Sequence, residues 1–267
     1  MAKRTRKRAV VSRGEMGYLA RAGFLARGVM YVVIGWIALL VAFGKTSQQA
    51  DRTGALHELS TTPFGALALW LLVIGFFGMA LWRLSQAAFG GRGRGAGARL
   101  LELGRAVLYA FIGYGVLEYA IGEGSPQSSD QQAVDLTATV MKYPGGRAAV
   151  IVAGLAFIVV GGWTAYEAWQ RRFAAEFQRS RMSPGARRVV DWLGRFGGIA
   201  RGIVFVTAGI FLIVAAADAD PGQAKGVDSS LRTLAQTPFG PWLLVAVAAG
   251  LVMFGLFSCC EARWGRV

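Results

Sequence analysis

The chain has 267 residues, of which 54% are hydrophobic and 16% are charged, whereas soluble domains carry about 25% charged residues. Its formal net charge of +14 would suggest nucleic-acid binding in a soluble protein. One histidine and two adjacent cysteines exclude a disulfide framework and a haem held by two histidines of one chain. The composition therefore favours an integral membrane protein.

Six apolar stretches are long enough to cross a bilayer, for which about 20 residues are needed. They lie at 28–44, 64–82, 106–122, 148–166, 202–217 and 239–260. The first span is expected to begin near Gly23 and the fifth near Ile199. None alternates strictly, so barrel strands are excluded. The basic leader and first apolar run resemble a signal peptide, but the run is long and belongs to a repeat, so we expect it to be retained.

Two sequence features recur three times along the chain. An arginine between small residues opens the first helix of each copy, and a proline precedes the second helix. The pairs are Arg27 with Pro63, Arg105 with Pro144 and Arg201 with Pro238, separated by 36, 39 and 37 residues. Such regular spacing predicts an internal repeat. Because each copy has two spans, we predict an all-α membrane bundle of six transmembrane helices, made of three parallel two-helix hairpins in a pseudo-threefold arrangement.

The repeats define the predicted organisation. It comprises a basic tail at 1–18, repeat 1 at 19–90, a Gly/Arg linker at 91–99, repeat 2 at 100–170, a basic linker at 171–192 and repeat 3 at 193–264.

The segment before each proline is predicted to form a short amphipathic helix. Leucines lie seven and four residues before the proline in copies 1 and 3, and Leu136 and Val140 are the nearest equivalents in copy 2. We expect the proline in the first turn of the following helix, with Thr62 and Thr237 as caps.

Basic residues are distributed unevenly among the segments outside the spans. Of 29 lysines and arginines, 23 fall in 1–27, 83–105, 167–201 and 261–267. The positive-inside rule therefore predicts that both termini are cytoplasmic and the proline-bearing loops are outside. The basic cluster at 3–8 is interpreted as a contact with anionic lipid at the cytoplasmic face, with nucleic-acid binding as the disfavoured alternative.

Polar residues near the span ends are the candidate functional or structural positions. The arginines Arg27, Arg105 and Arg201 open outgoing helices, and Gln86, Glu167 and Glu261 close the returning ones. An antiparallel hairpin predicts that Arg105 pairs with Glu167 and Arg201 with Glu261, while Arg27 meets Gln86 or lipid phosphate. The alternative is that the arginines bind an anionic lipid head or a substrate.

One acidic residue lies within a predicted span. Glu118 is four residues before the outer end of its helix. An ionisable group at such a place is a functional candidate by default, and the alternative is a carboxylate that reaches the interface or pairs with a neighbour.

Little in the sequence points to catalysis. His57 with Glu58 and Asp51 could hold a metal, but a solvated loop is the favoured interpretation. Cys259 and Cys260 could be redox-active, but small apolar fillers are favoured. No nucleotide-binding, serine-hydrolase or zinc-protease motif occurs. We therefore expect no catalytic residue, no metal and no cofactor.

At the repeated residues the chain resembles a bacterial membrane-protein family catalogued as domain of unknown function 1206. The resemblance rests on Ala26-Arg27-Gly28 with Pro63-Phe64-Gly65, and on Ala200-Arg201-Gly202 with Pro238-Phe239-Gly240. It covers about 19–265, and the second copy, with Tyr143-Pro144-Gly145, departs most. It implies a multi-pass protein of the bacterial plasma membrane, and it implies no particular activity.

Three functions remain open at this stage. The favoured one is a non-enzymatic scaffold, or a subunit that binds lipid or a membrane-protein partner. The alternative is a small transporter or channel with a path at the repeat interface, supported by Glu118 and the three arginines. An enzyme is the least supported.

Overall fold

The computed structural model describes residues 2–46, 49–89, 96–122, 128–235 and 240–266. In these ranges the chain is all-α, without a β-strand. The helices in chain order are α1 (Ala2–Ala42), α2 (Arg52–Ser60), α3 (Gly65–Phe89), α4 (Ala96–Ile121), α5 (Ser129–Met141), α6 (Gly146–Trp169), α7 (Pro184–Ala217), α8 (Val227–Ala235) and α9 (Gly240–Trp264).

Six of these helices are long and apolar enough to cross a membrane, which confirms the six predicted spans. They are α1, α3, α4, α6, α7 and α9. Two are longer than the sequence suggested. Helix α1 begins in the basic tail, and α7 begins at Pro184 within the predicted basic linker, well before Ile199.

The three short helices α2, α5 and α8 lie between the two spans of each copy, as predicted. Leu56 and Leu231 are buried at equivalent places in copies 1 and 3. The equivalence proposed for copy 2 is wrong, because Leu136 is exposed and the adjacent Thr137 is buried instead. The side chain of Leu234 lies outside the described residues.

The prolines do not occupy the first turn of the following helix, so that prediction is wrong. Pro63 and Pro144 each lie two residues before the helix begins, in the turn that reverses the chain. Thr62 does not cap α3: its hydroxyl donates to the carbonyl oxygen of Leu59 at 2.7 Å and so closes the end of α2. Pro238 and Thr237 lie outside the described residues.

The chain forms two compact units, and each is described by itself. Unit 1 comprises Met1–Val29, Leu59–Pro126 and Ser258–Val267, and unit 2 comprises Met30–Glu58 and Gln127–Phe257. In unit 2, an apolar core draws on α1, α7, α8 and α9 and includes Ile37, Leu244 and Leu251. In unit 1, Phe76 and Met79 of α3 are buried, as is Val116 of α4.

Glycines permit close contact between the two spans of one copy. Gly23 of α1 lies against Met79 of α3 in unit 1, and Gly197 of α7 lies against Phe254 of α9 in unit 2. These glycines precede the repeated arginines by four residues. Small residues at such places let helix backbones approach closely in a membrane. The hairpins of copies 1 and 3 therefore share a close contact at the equivalent glycine.

A second contact recurs in all three copies and was not predicted. Eight residues after each repeated arginine is a glycine that lies against the second span of another copy. The contacts are Gly113 with Phe77 in unit 1, and Gly209 with Ile158 and Gly35 with Val252 in unit 2. The first helix of copy 2 thus packs on copy 1, that of copy 3 on copy 2, and that of copy 1 on copy 3. The pseudo-threefold arrangement itself stays a prediction, as do the repeat boundaries.

Candidate functional site

A buried polar cluster surrounds Arg27 in unit 1. The Arg27 guanidinium forms an ion pair with Glu261 of α9. It also donates through Nε to the Ser258 hydroxyl at 3.0 Å and through Nη1 to the Tyr109 hydroxyl at 3.4 Å. The guanidinium carbon lies 5.0 Å from the centre of the Phe24 ring. Side chains from α1, α4 and α9 thus converge on one arginine.

This cluster is largely closed to its surroundings. The side chains of Arg27 and Glu261 are 13% and 9% exposed, and Ser258 is fully buried. An unpaired charge within a span is costly, so the ion pair and the two hydroxyl acceptors offset the burial of the cation. The position of Arg27, ten residues after the start of its span at Gly17, explains why it requires partners.

The predicted arginine pairs are wrong. Glu261 binds Arg27 rather than Arg201, and Arg105 pairs with Glu102 at 2.9 Å on its own helix instead of with Glu167. Glu102 also binds Arg83 at 2.9 Å. The prediction assumed that Arg105 and Arg201 each meet the acid of their own hairpin, and that Arg27 meets Gln86 or lipid phosphate. The contacts show instead that Arg27, in copy 1, meets an acid in copy 3.

Arg201 has a different environment from Arg27. Its guanidinium carbon lies 5.0 Å from the ring centres of both Phe205 and Phe254. Its Nε is buried without a hydrogen-bond partner. Cation–π contact with two rings provides part of the stabilisation that an acid provides for Arg27.

The remaining predicted positions are not drawn into a common site. Glu118, Gln86 and Glu167 are each half-buried in their helices. Of the seven predicted positions, the structure therefore brings together Arg27 and Glu261. Ser258 and Tyr109 complete this cluster and were missed, since a lone serine or tyrosine in an apolar run carries no distinctive signal.

A second polar cluster, also missed, joins the short helices in unit 2. Asp51 accepts a hydrogen bond from the backbone N–H of Ser129 at 2.7 Å. Asp130 accepts bonds from the Ser229 N–H and, at 2.6 Å, from its hydroxyl. Asp228 accepts from the Ala50 N–H at 2.7 Å.

Each of these aspartates accepts a hydrogen bond from a backbone N–H group at, or just before, the beginning of another copy's short helix. The aspartate of copy 1 binds copy 2, the aspartate of copy 2 binds copy 3, and the aspartate of copy 3 binds copy 1. Carboxylates satisfy N–H groups that helix beginnings leave without partners. The sequence did contain a signal for this cluster, since an aspartate lies near the start of every short helix: Asp51, Asp130 and Asp228.

Asp228 is nearly buried in this cluster. Burial raises the pKa of the Asp228 carboxyl from its ordinary value of 3.8, and nearby Asp130 acts in the same direction. The hydrogen bond from Arg232 at 2.8 Å and the one from Ala50 oppose this rise. The aspartate is thus held by two donors in a place that disfavours its charge.

Of the residues considered for metal or redox chemistry, Asp51 belongs to the second polar cluster, where it accepts hydrogen bonds from backbone N–H groups. His57 is exposed. Within the described ranges, no group of three His, Cys, Asp or Glu side chains has the proximity needed to hold a metal ion. Cys259 and Cys260 are half-buried free thiols.

These features define a multi-pass helical membrane protein built from a repeated two-helix unit. The family model described as Domain of Unknown Function (DUF1206) matches the chain three times in tandem, at 22–90, 103–171 and 196–265, and the chain belongs to this family. The resemblance drawn from the repeated residues is thereby confirmed, as is the presence of three copies.

The chain is also similar to a protein of Bacillus subtilis (strain 168) named "Uncharacterized protein YxxB". The two are 32% identical over 243 residues, which cover 89% of this chain and 87% of the relative. No solved structure matches the chain. Family membership therefore establishes the threefold repeat, while the evidence for a membrane protein is the six long apolar helices.

Proposed function

We propose that this protein is a non-enzymatic membrane scaffold that binds a transmembrane helix of a partner protein. The observation that carries the proposal is an open apolar groove of about 500 Å³ in unit 1. Its walls come from α3 and α4, with Leu19 of α1 at one side. Among the described side chains, those that line the groove carry no charge.

Small residues on the groove wall favour a helix as its occupant. Ala106 and Ala110 lie one turn apart on α4 and both line the groove, as does Gly78 of α3. Helices associate in membranes where small residues let their backbones approach. In the most apolar part of α4 only 22% of the residues are buried, against 56% in α3, so most of the surface of α4 is open to lipid or to a partner.

Copy 2 also differs from the other copies at the position where a glycine brings the two spans of a copy into contact. Copies 1 and 3 have Gly23 and Gly197 four residues before the arginine, whereas copy 2 has Leu101, which is 66% exposed. A large exposed side chain at a contact position is consistent with an additional helix packed beside α4.

A transporter is the alternative function, and the buried Arg27–Glu261 pair is the observation that favours it. Ionisable residues inside spans often mark substrate or proton pathways. The apolar core of unit 2 around Ile37 and Leu251 supports the scaffold instead, because a hydrated path requires polar lining.

Photocrosslinking in native membranes tests the scaffold proposal. A photoreactive amino acid at Val107, which lines the groove, is compared with one at Val152 on α6. The two valines are 63% and 65% exposed, so they form a matched pair. We expect one protein adduct, mapped by mass spectrometry to a partner's transmembrane helix, from Val107 and none from Val152.

Two results would contradict the proposal. Lipid adducts alone at both positions would show that the groove faces bulk bilayer. Solute or ion flux through the purified chain in liposomes, abolished by Glu261→Gln, would establish the transporter instead.

A further inference from the structure

A pocket rich in arginine lies in unit 2, where the segment after α6 meets the beginning of α7. It has a volume of about 470 Å³. Its lining includes five arginines and one acid: Arg171, Arg179, Arg187, Arg188, Arg195 and Asp191. With five positive charges and one negative charge, the lining carries a formal charge of +4. A surplus of positive charge in a concave site favours the binding of an anionic ligand.

The pocket wall is held in place by its own contacts. Asp191 forms an ion pair with Arg179 and lies 3.8 Å from Nη1 of Arg171. The Nε of Arg187 donates to the carbonyl oxygen of Arg179 at 3.0 Å. Arg171 has a φ of 56°, in the left-handed region that non-glycine residues adopt at a cost. These contacts hold Arg171, Arg179 and Arg187 in position before a ligand arrives, which favours tight binding.

Two further features add donors and positive potential. Helix α7, which has 34 residues, begins at Pro184 in the pocket wall, and Ser183 caps it through the N–H of Ala186. The beginning of a helix carries partial positive charge and favours anions. The Nε of Arg195 is buried without a hydrogen-bond partner.

Aromatic side chains place this pocket at the level of lipid headgroups. The guanidinium carbon of Arg195 lies 3.8 Å from the ring centre of Trp169, at the end of the α6 span. Trp169 and Trp192 are about 60% exposed. Tryptophans with exposed rings at span ends are typical of the membrane–water interface.

We propose that this pocket binds the phosphate group of an anionic glycerophospholipid. Guanidinium groups bind phosphate oxygens in pairs, and Arg187, Arg188 and Arg195 are the side chains for this contact, while Asp191 orients Arg171 and Arg179. The acyl chains extend along the exposed aromatic residues into the bilayer. The proposal is independent of the partner groove of unit 1, because it rests on different residues in the other unit.

The test compares lipid retention by two double variants of equal charge. Arg187→Gln/Arg188→Gln removes two pocket arginines. Arg172→Gln/Arg181→Gln removes two arginines of the same segment that do not line the pocket. Each full-length variant is placed in nanodiscs of mixed phosphatidylcholine and phosphatidylglycerol, and the phosphatidylglycerol retained after mild detergent extraction is measured by native mass spectrometry.

We expect the pocket variant to retain about 100-fold less phosphatidylglycerol, from a factor of about ten for each lost charge-assisted hydrogen bond to phosphate. The control variant should change retention by less than about threefold. Equal losses in both variants would overturn the proposal, since simple attraction between charged surfaces would then explain retention.

A second arm separates a lipid from a free anion and does not depend on retention. Thermal unfolding of the wild type in uncharged detergent is followed with short-chain phosphatidylglycerol or with inorganic phosphate at equal concentration. We expect stabilisation by the lipid alone, and loss of that stabilisation in the pocket variant. Equal stabilisation by inorganic phosphate would overturn the lipid as the source of the phosphate group.

Discussion

Replacing Arg27 or Glu261 by glutamine should destabilise the protein by more than replacing both. The two side chains are 13% and 9% exposed and form an ion pair. Removal of one partner leaves an uncompensated charge, which costs about 3 kcal/mol for a buried pair. Removal of both charged groups leaves no unpaired charge in the buried cluster. Because two glutamine side chains can still exchange hydrogen bonds, we expect the double variant to lose about 1 kcal/mol, less than either single variant and well below the sum of about 6 kcal/mol.

A double-mutant cycle on unfolding free energy in detergent measures this coupling. Arg105→Gln provides the control, because Arg105 is 54% exposed and pairs with Glu102 on the same helix. An exposed pair of this kind contributes less than about 1 kcal/mol. Additive effects at Arg27 and Glu261, within about 0.5 kcal/mol, would refute the claim that the two residues interact.

Three further predictions concern packing, pH and topology. A methyl group at Gly161 would lie 2.7 Å from the backbone of α7, whereas one at Gly162 would meet open space. In a thermal unfolding assay, Gly161→Ala should therefore lower stability by about 2 kcal/mol, and Gly162→Ala should be neutral or stabilising. Equal effects of the two substitutions would contradict the close contact. Burial raises the pKa of the Asp228 carboxyl above 3.8, so its contribution to stability is present at low pH and is lost as pH rises through the folded pKa. Wild type should therefore lose stability relative to Asp228→Asn as pH rises above 3.8. Parallel pH curves would contradict the raised pKa. In a cysteine-free background, Ser128→Cys should react with an impermeant thiol reagent in intact cells and Ser180→Cys should not; the opposite pattern would reverse the predicted topology.

The helices and repeats were accessible from the sequence because they depend on local features. A span is recognised from about 20 consecutive apolar residues, and a repeat from spaced arginines and prolines. The short helices followed from leucines spaced for one helical face. None of these inferences requires knowledge of which helices are neighbours.

The polar contacts were not accessible in the same way, since they join residues from different copies. Hydropathy places Arg27 near the start of the first uncharged run but does not indicate whether α3 or α9 provides its polar partner. Glu261 lies 234 residues away in the chain. The prediction gave each arginine a partner from its own hairpin or from lipid, and the contact of Arg27 with Glu261 joins copies 1 and 3 instead.

One missed feature had a readable signal. Gly35, Gly113 and Gly209 each follow a repeated arginine by eight residues. A glycine in the same place in three copies indicates a shared close contact, as the approach of Gly209 to the Gly154 carbonyl oxygen shows. The partner span of each glycine still depends on the packing between copies.

The scaffold proposal is tested most directly by the mass of the complex released from native membranes. Extraction with an amphipathic polymer retains neighbouring helices, and native mass spectrometry then gives the stoichiometry. We predict one partner protein at a fixed ratio with wild type and with Val152→Trp, and its loss with Val107→Trp, which fills the groove. A chain that is released alone, or whose companions are unchanged by Val107→Trp, would contradict partner binding at this groove.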